Sequence, residues 1–306
     1  MPVYNRENLI KFSVESIINQ TFTDFEFIIV NDGSTDKTAE IIESYNDKRI
    51  KLIHNEQNSG IVFSRNKGIE NASGKYIAMF DSDDIAYPTK NQEQITFLEQ
   101  NSDFGMIGTW AKFIDENGNH TGKSWKLPAD SKKIPAMMLF RNYFVQASVI
   151  ARREALPKHL YSTGYDIVED SKMWFEISLN HKVWNLQKYL LDYRVHTGNV
   201  TNTGNEKQIR HSRKLFKYIF KHLEIEITEK ELDAHFLIKN SDKIKSISEL
   251  KEIENWLKKI INQNKKIKLY DEDILRKVIQ NRWLKVCSKS KTFDKIYGLR
   301  KMPFLK

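Results

Sequence analysis

Over the first 115 residues, strand-length apolar runs alternate with helix-length amphipathic stretches. The runs lie at 25–30, 50–54 and 75–80, and the stretches at 6–20, 36–45 and 61–72. Near-continuous apolar strands linked by helices are the pattern of a parallel sheet covered on both faces. The pattern continues with a helix at 88–100 and a strand at 104–115, closed by the turn Glu116-Asn117-Gly118-Asn119. A helix is expected over 130–140, a strand over 145–150, an amphipathic helix over 169–180 and a strand-rich stretch over 182–193. The expected class is α/β.

From residue 206 only helical periodicity remains, in segments near 206–222, 228–240, 246–264 and 271–288. Two modules are expected, a sheet-bearing one over 1–205 and a basic helical one over 206–306. Residues 207–306 hold 26 Lys+Arg against 13 Asp+Glu, whereas residues 1–206 hold 23 against 27. A basic tail on an acidic body suggests an anionic partner. Cys287 is the single cysteine, which excludes an internal disulfide framework and a multi-cysteine metal site. No run of about 18 apolar residues occurs and no leader pattern opens the chain, so the expectation is a cytoplasmic protein. Zinc-finger spacing and RNP-type aromatic strands are absent, which argues against a nucleic-acid partner.

The chemistry concentrates where runs end. After 76–80 come Asp81, Ser82, Asp83 and Asp84, three carboxylates within four positions. Ligands of open α/β sheets bind outside the carboxyl ends of the strands. Crowded carboxylates repel unless a positive charge sits among them, and a hard divalent cation carrying a diphosphate would supply it. The plainer reading is a solvated turn with Asp84 capping the next helix. After 25–30 comes Asn31-Asp32-Gly33-Ser34-Thr35-Asp36, where Gly33 permits a tight turn and Asp32 could accept a hydrogen bond from a nucleobase. Asn58-Ser59-Gly60 precedes Arg65, whose guanidinium suits a phosphate or an acidic neighbour. Glu169-Asp170 opens a helix, either to complement its dipole or to supply a general base. Tyr193-Arg194-Val195-His196 leads into a polar loop with Asn199 and Thr201, and His196 there suits a metal or a phosphate. No Gly-x-Gly-x-x-Gly follows a strand, and P-loop, Gly-x-Ser-x-Gly and His-Glu-x-x-His motifs are absent.

Taken in order, these pieces resemble family 2 glycosyltransferases of the GT-A fold, of the type that builds bacterial lipopolysaccharide, lipooligosaccharide and capsule. The carrying residues include Pro2-Val3-Tyr4-Asn5, Asn31-Asp32-Gly33-Ser34, Arg65-Asn66-Lys67-Gly68, Asp81-Ser82-Asp83-Asp84, Glu169-Asp170 and Tyr193-Arg194-Val195-His196. The resemblance covers about residues 1–201. It implies a Rossmann-like, mostly parallel sheet flanked by helices, with a C-terminal helical module. It implies that Asp32 contacts uracil in a pocket shaped by Pro2 and Tyr4, with Arg65 beside the nucleotide. Asp81, Ser82 and Asp83 would hold the sugar nucleotide. Asp83 and Asp84 would lie nearest a Mg²⁺ or Mn²⁺ ion, with His196 a further metal or diphosphate contact. Asp170 would be the base. Two departures stand out: the family usually has an acid where this chain has Asn31, and some four to six apolar residues ahead of Pro2.

The implied reaction is inverting transfer from a nucleotide-diphosphate sugar, with UDP the expected nucleotide, to a hydroxyl of a glycan or lipid-linked glycan acceptor. The basic module has two readings: a solvated helical extension, or a face resting on anionic lipid at the inner side of the cytoplasmic membrane. In the second, Leu257, Ile260, Ile261, Trp283, Leu284 and Phe304 supply the apolar side. The rival functions are a nucleotidyltransferase, disfavoured by the lack of a glycine-rich basic loop, and a non-catalytic nucleotide- or glycan-binding relative, hinted at by Asn31.

Overall fold

The computed structural model describes residues 1–196 and 206–289; Asn199, Thr201 and Phe304 lie outside them. The elements of the first part are β1 (Pro2–Val3), α1 (Ile10–Ile18), β2 (Phe27–Asn31), α2 (Thr38–Glu43), β3 (Ile50–His54) and α3 (Ile61–Glu70). They continue with β4 (Tyr76–Ala78), β5 (Ile85–Ala86), α4 (Lys90–Gln100), β6 (Phe104–Ile114), β7 (His120–Trp125) and α5 (Ile134–Met137). Then come β8 (Ile150–Arg152), α6 (Glu169–Asn180) and β9 (Lys182–Arg194). The tail forms α7 (Glu206–Lys221), α8 (Glu229–Lys239), α9 (Ile247–Ile267) and α10 (Glu272–Lys289). The α/β class with C-terminal helices is borne out.

β1, β2 and β3 form a parallel three-stranded sheet with β2 in the middle. All five residues of β2 are buried, which explains its unbroken apolar run. A second, mixed sheet has the order β4-β8-β6-β9-β5, with β7 added on β6. Only β6 and β9 run parallel in it, from Phe104↔Lys182 to Ile114↔Arg194; the other pairs are antiparallel. Val3, Ile10, Val14, Ile29, Ile42, Phe80, Ala111 and Leu191 share one core. That core joins the helix faces to both sheets.

β1 is short, and its ladder with β2 covers only Val30 and Asn31. A cavity of about 800 Å³ opens beside it, lined by Phe27 and Ile28 of β2 and by Tyr76–Ala78 of β4. Lys90, at the start of α4, is 1% exposed and faces this cavity. Burial lowers its ammonium to about 7, because a charge there has little water around it.

The chain divides into a unit of Met1–Ser131 with Tyr143–His211, and one of Lys132–Asn142 with the described part of Ser212–Lys306. The helical unit has its own core of Leu232, Leu250, Trp256, Leu257, Ile260, Ile279 and Trp283. Capping boxes at Thr228/Glu231 and Ser246/Glu249 start α8 and α9. The expected membrane face is therefore corrected. Leu257, Ile260 and Trp283 are 0% exposed and Ile261 is 9%, because the helical periodicity that suggested a surface instead packs this unit's own interior. Of that set only Leu284, at 38%, reaches solvent among the described residues. No described helix is long and apolar enough to cross a membrane.

Two other expectations shift. The helix over 130–140 shrinks to the four residues of α5, with Pro135 in its first turn. The strand over 145–150 becomes a 3-10 turn at Gln146–Ser148, and β8 starts at Ile150. Here Ser148 Oγ donates to the Val145 carbonyl (2.8 Å), a local bond that competes with strand pairing.

Candidate active site

The ends of β1 and β2 come together first. The Asp32 amide donates to the Val3 carbonyl (2.8 Å), which sets Asp32 beside the chain leading to Tyr4. Pro2 stands in register with Val30, and Tyr4 is 41% exposed just past the strand. Gly33 turns with φ +72°, and a Cβ there would lie 2.6 Å from the backbone of Gln57, so only glycine fits. Asp32 is buried, and both its oxygens accept protein hydrogen bonds. Oδ1 takes Asn55 Nδ2 (2.7 Å) and the Ser59 amide (2.9 Å), and Oδ2 takes the Gly60 amide (2.9 Å). Asp32 thus anchors the loop that opens α3.

Asn31 explains its own departure. Its Oδ1 accepts the Ser34 amide (3.0 Å) while its Nδ2 lies 3.3 Å from His54 Nδ1. An amide both accepts and donates, which an ionised acid cannot.

Arg65, on α3, has a buried side chain, 8% exposed. Its Nη2 lies 2.8 Å from Asp81 Oδ1, its Nη1 donates to Glu169 Oε1, and its guanidinium carbon stands 5.4 Å from the Tyr161 ring centre. One cation therefore joins the loop after β4 to the first turn of α6. The role of Glu169 as Arg65's second partner emerges only from the tertiary structure.

Asp83 Oδ2 lies 2.9 Å from His196 Nε2, and Ser82 is buried between the acids. Arg194, 1% exposed, holds this arrangement. Its Nε donates to the Asp83 carbonyl (2.8 Å) and its backbone N–H to Asp84 Oδ1 (2.9 Å). Its Nη1 reaches the carbonyls of Asp115 and Glu116 (3.1 and 3.0 Å) in the β6–β7 turn. The sequence reading named Arg194 only as part of a motif. A basic residue at the inward-facing register of a buried strand was the available signal.

Asp84 is 1% exposed, and its Oδ2 is buried without a hydrogen-bond partner. Burial, then the charges of Asp83 and Asp81, push its carboxyl well above the usual range. Among the described residues no three His, Cys, Asp or Glu side chains are grouped to hold a metal. The expected set of Asp83, Asp84 and His196 is thus not assembled as three ligands. The structure pairs Asp83 with His196 and turns Asp84 to the backbone of β9. One carboxylate, that of Asp83, with His196 beside it, still fits a Mg²⁺ or Mn²⁺ ion, since Mg²⁺ in phosphate-transfer sites takes one or two carboxylates and fills the rest with phosphate oxygens and water.

Asp170, partly exposed at the start of α6, accepts the Ser171 amide (2.5 Å) and Ser171 Oγ (3.1 Å) at Oδ1. Its carboxyl is raised to about 7 by burial first and the Glu169 charge second, against the pull of Arg65 and Ser171. Three residues earlier, Ile167 has φ +76°, a region costly for a β-branched side chain and often found where a site is held in shape. The 800 Å³ cavity is lined by Pro2 and Arg65 but by none of Asp32, Asp81, Asp83 and Asp170.

A family model described as glycosyl transferase family 2 matches residues 1–160. An uncharacterised glycosyltransferase of Haemophilus influenzae is 36% identical over 223 residues, 69% of this chain and 69% of that protein. The O-antigen biosynthesis glycosyltransferase WbnJ of Escherichia coli is 31% identical over 202 residues, 64% of this chain and 78% of its own. The crystal structure of S. aureus TarS 1–349 in complex with UDP superposes with a TM-score of 0.55 at 22% identity, covering 98% of this chain and 87% of that one. At that identity the likeness is one of fold, the GT-A architecture.

Proposed function

The chain belongs to glycosyltransferase family 2, and from that premise we propose that it moves a sugar from a UDP-linked donor to an acceptor hydroxyl, with inversion, in building a bacterial surface glycan. The observation that carries this is the Asp81–Arg65–Glu169 bridge, which gathers the acidic loop and the start of α6 around one guanidinium. The names of similar proteins support the direction: WbnJ is an O-antigen biosynthesis enzyme, and TarS was solved with UDP.

In this reading Asp170 takes the acceptor hydroxyl's proton as the oxygen attacks the anomeric carbon. The bond from that carbon to the diphosphate oxygen breaks, and the electron pair leaves with UDP. A carboxyl raised to about 7 is a stronger base than an ordinary carboxylate and lies nearer the working pH that general-base catalysis favours. Asp83 and His196 are the residues we assign to hold a Mg²⁺ or Mn²⁺ ion. Bound there, it would neutralise charge gathering on the leaving diphosphate. Pro2, Tyr4 and Asp32 are assigned to the nucleotide pocket, with Asp32 acting chiefly through the loop it anchors. We assign the transfer chemistry to residues 1–205 and a supporting role to the helices of 206–306.

The test is a donor screen. UDP-sugars, with GDP- and dTDP-sugars beside them, are incubated with the full chain with and without manganese, and nucleotide release is measured. At least one UDP-sugar should turn over with metal, and Asp83→Asn should abolish the metal's gain in UDP affinity. If no sugar nucleotide gained affinity with manganese, the reading would fail.

A further inference from the structure

Three adjacent strands each contribute one aromatic side chain to a single cluster: Trp125 from β7, Phe113 from β6 and Tyr193 from β9. Phe113 and Trp125 have ring centres 4.7 Å apart at 85°, Phe113 and Tyr193 5.7 Å at 50°, and Trp125 and Tyr193 5.0 Å at 45°. The register explains the meeting. Phe113 pairs with Tyr193 across β6–β9, and Trp125 pairs with Ala111, two residues from Phe113 on the same face.

The cluster is not closed off. Among the described residues β7 pairs only with β6, all six of its residues are exposed, and Trp125 keeps 40% of its surface in solvent. A lone exposed aromatic on an edge strand needs no explanation, but three rings in contact make a contiguous patch, and such patches mark binding surfaces. The patch's position names its occupant. Tyr193 is followed directly by Arg194, which ties the β6–β7 turn to the Asp83 carbonyl, and His196 lies two residues further, against Asp83 Oδ2. The platform and the acidic loop are thus parts of one braced assembly.

We propose that Trp125, backed by Phe113 and Tyr193, is the stacking surface for a pyranose ring of the acceptor glycan. One face of a pyranose is lined with C–H groups, which pack on the electron-rich face of an indole. Its hydroxyls point outward at the rim, where Lys123, two residues from Trp125 and on the same face of β7, is exposed. An aromatic floor with a polar rim suits a sugar better than an apolar protein partner, which would need a wider dry patch. This inference rests on the glycosyltransferase reading and assigns its acceptor side.

The test compares the full chain with Trp125→Ala and Trp125→Phe on a printed array of bacterial surface glycans, with UDP binding measured in parallel by calorimetry. Trp125→Ala should lose array binding by tenfold or more while its UDP affinity stays within twofold of wild type. Trp125→Phe should recover most of the loss, because a ring is restored. Undiminished array binding by Trp125→Ala, or no array binding by wild-type protein that does bind UDP, overturns the platform and leaves the donor reading standing. Wild-type protein that binds glycans through Trp125 but no sugar nucleotide would overturn the donor reading instead.

Discussion

Arg65 Nη2 stands 2.8 Å from Asp81 Oδ1 while the same guanidinium donates from Nη1 to Glu169. The residues so joined are 16 and 104 positions from Arg65 along the chain. The arginine is the mechanical link between the acidic loop and the helix that carries Asp170.

Removing Arg65 should therefore damage both stability and chemistry. Arg65→Ala leaves two carboxylates without their cation, a loss of about 3–5 kcal/mol for a buried pair. Arg65→Lys keeps the charge but cannot span both partners with a planar fork, so it should retain most of the fold and little of the transfer rate. Urea unfolding and nucleotide-release rates on the two variants check this. A Arg65→Ala protein within 1 kcal/mol of wild type would mean that the bridge contributes little.

The raised carboxyl of Asp170 fixes the direction of two pH effects. Transfer should rise with pH through about 7, as Asp170 becomes base, and then level off. Stability should run the other way. Between the carboxyl's ordinary value and about 7 the folded state holds a proton that the unfolded chain has released, so raising the pH across that window costs stability. Asp170→Asn should lower transfer by roughly 10²–10⁴-fold, keep UDP affinity, lose the pH dependence of transfer and lose Asp170's share of that of stability. A variant that kept the wild-type rate would remove Asp170 from the mechanism.

Lys90 predicts a pH effect of opposite slope. The unfolded chain keeps this proton up to the ordinary lysine range, while the fold releases it at about 7. Stability should thus increase as pH rises from about 7 towards 10, where the penalty for a buried ammonium disappears. Lys90→Met should stabilise the protein by about 2–4 kcal/mol at pH 6, and by progressively less towards pH 10. Thermal melts across that range are the measurement, and a constant difference between the two proteins would refute the assignment.

Much of the architecture could be read from periodicity. β2, β3, α3, α4, β6, β9 and α9 are long or apolar enough for their pattern to dominate local competition. β7 could not be read, because His120–Trp125 is exposed throughout and exists as a strand only through its pairing with β6. Nor could β5, two residues that become a strand by meeting Asp192 and Leu191 of β9. At the site, spacing identified Asp81, Asp83 and Asp170 as candidates. It could not show that Arg65 would bridge to Glu169, that Asp32 would spend its oxygens on the 59–60 loop, or that Asp84 would face β9. Those facts depend on contacts made across the fold. The apolar positions of α9 and α10 were visible too, but their pattern is the same for a helix that packs on protein and one that rests on lipid.

Arg194 grips the β6–β7 turn through the carbonyls of Asp115 and Glu116, which are main-chain atoms. The identities of the side chains on that turn are therefore largely decoupled from the grip. The hairpin's outward side chains can therefore change while the register of the acidic loop stays put. Diversification at the rim and constancy at the centre are made compatible by one inward-pointing cation.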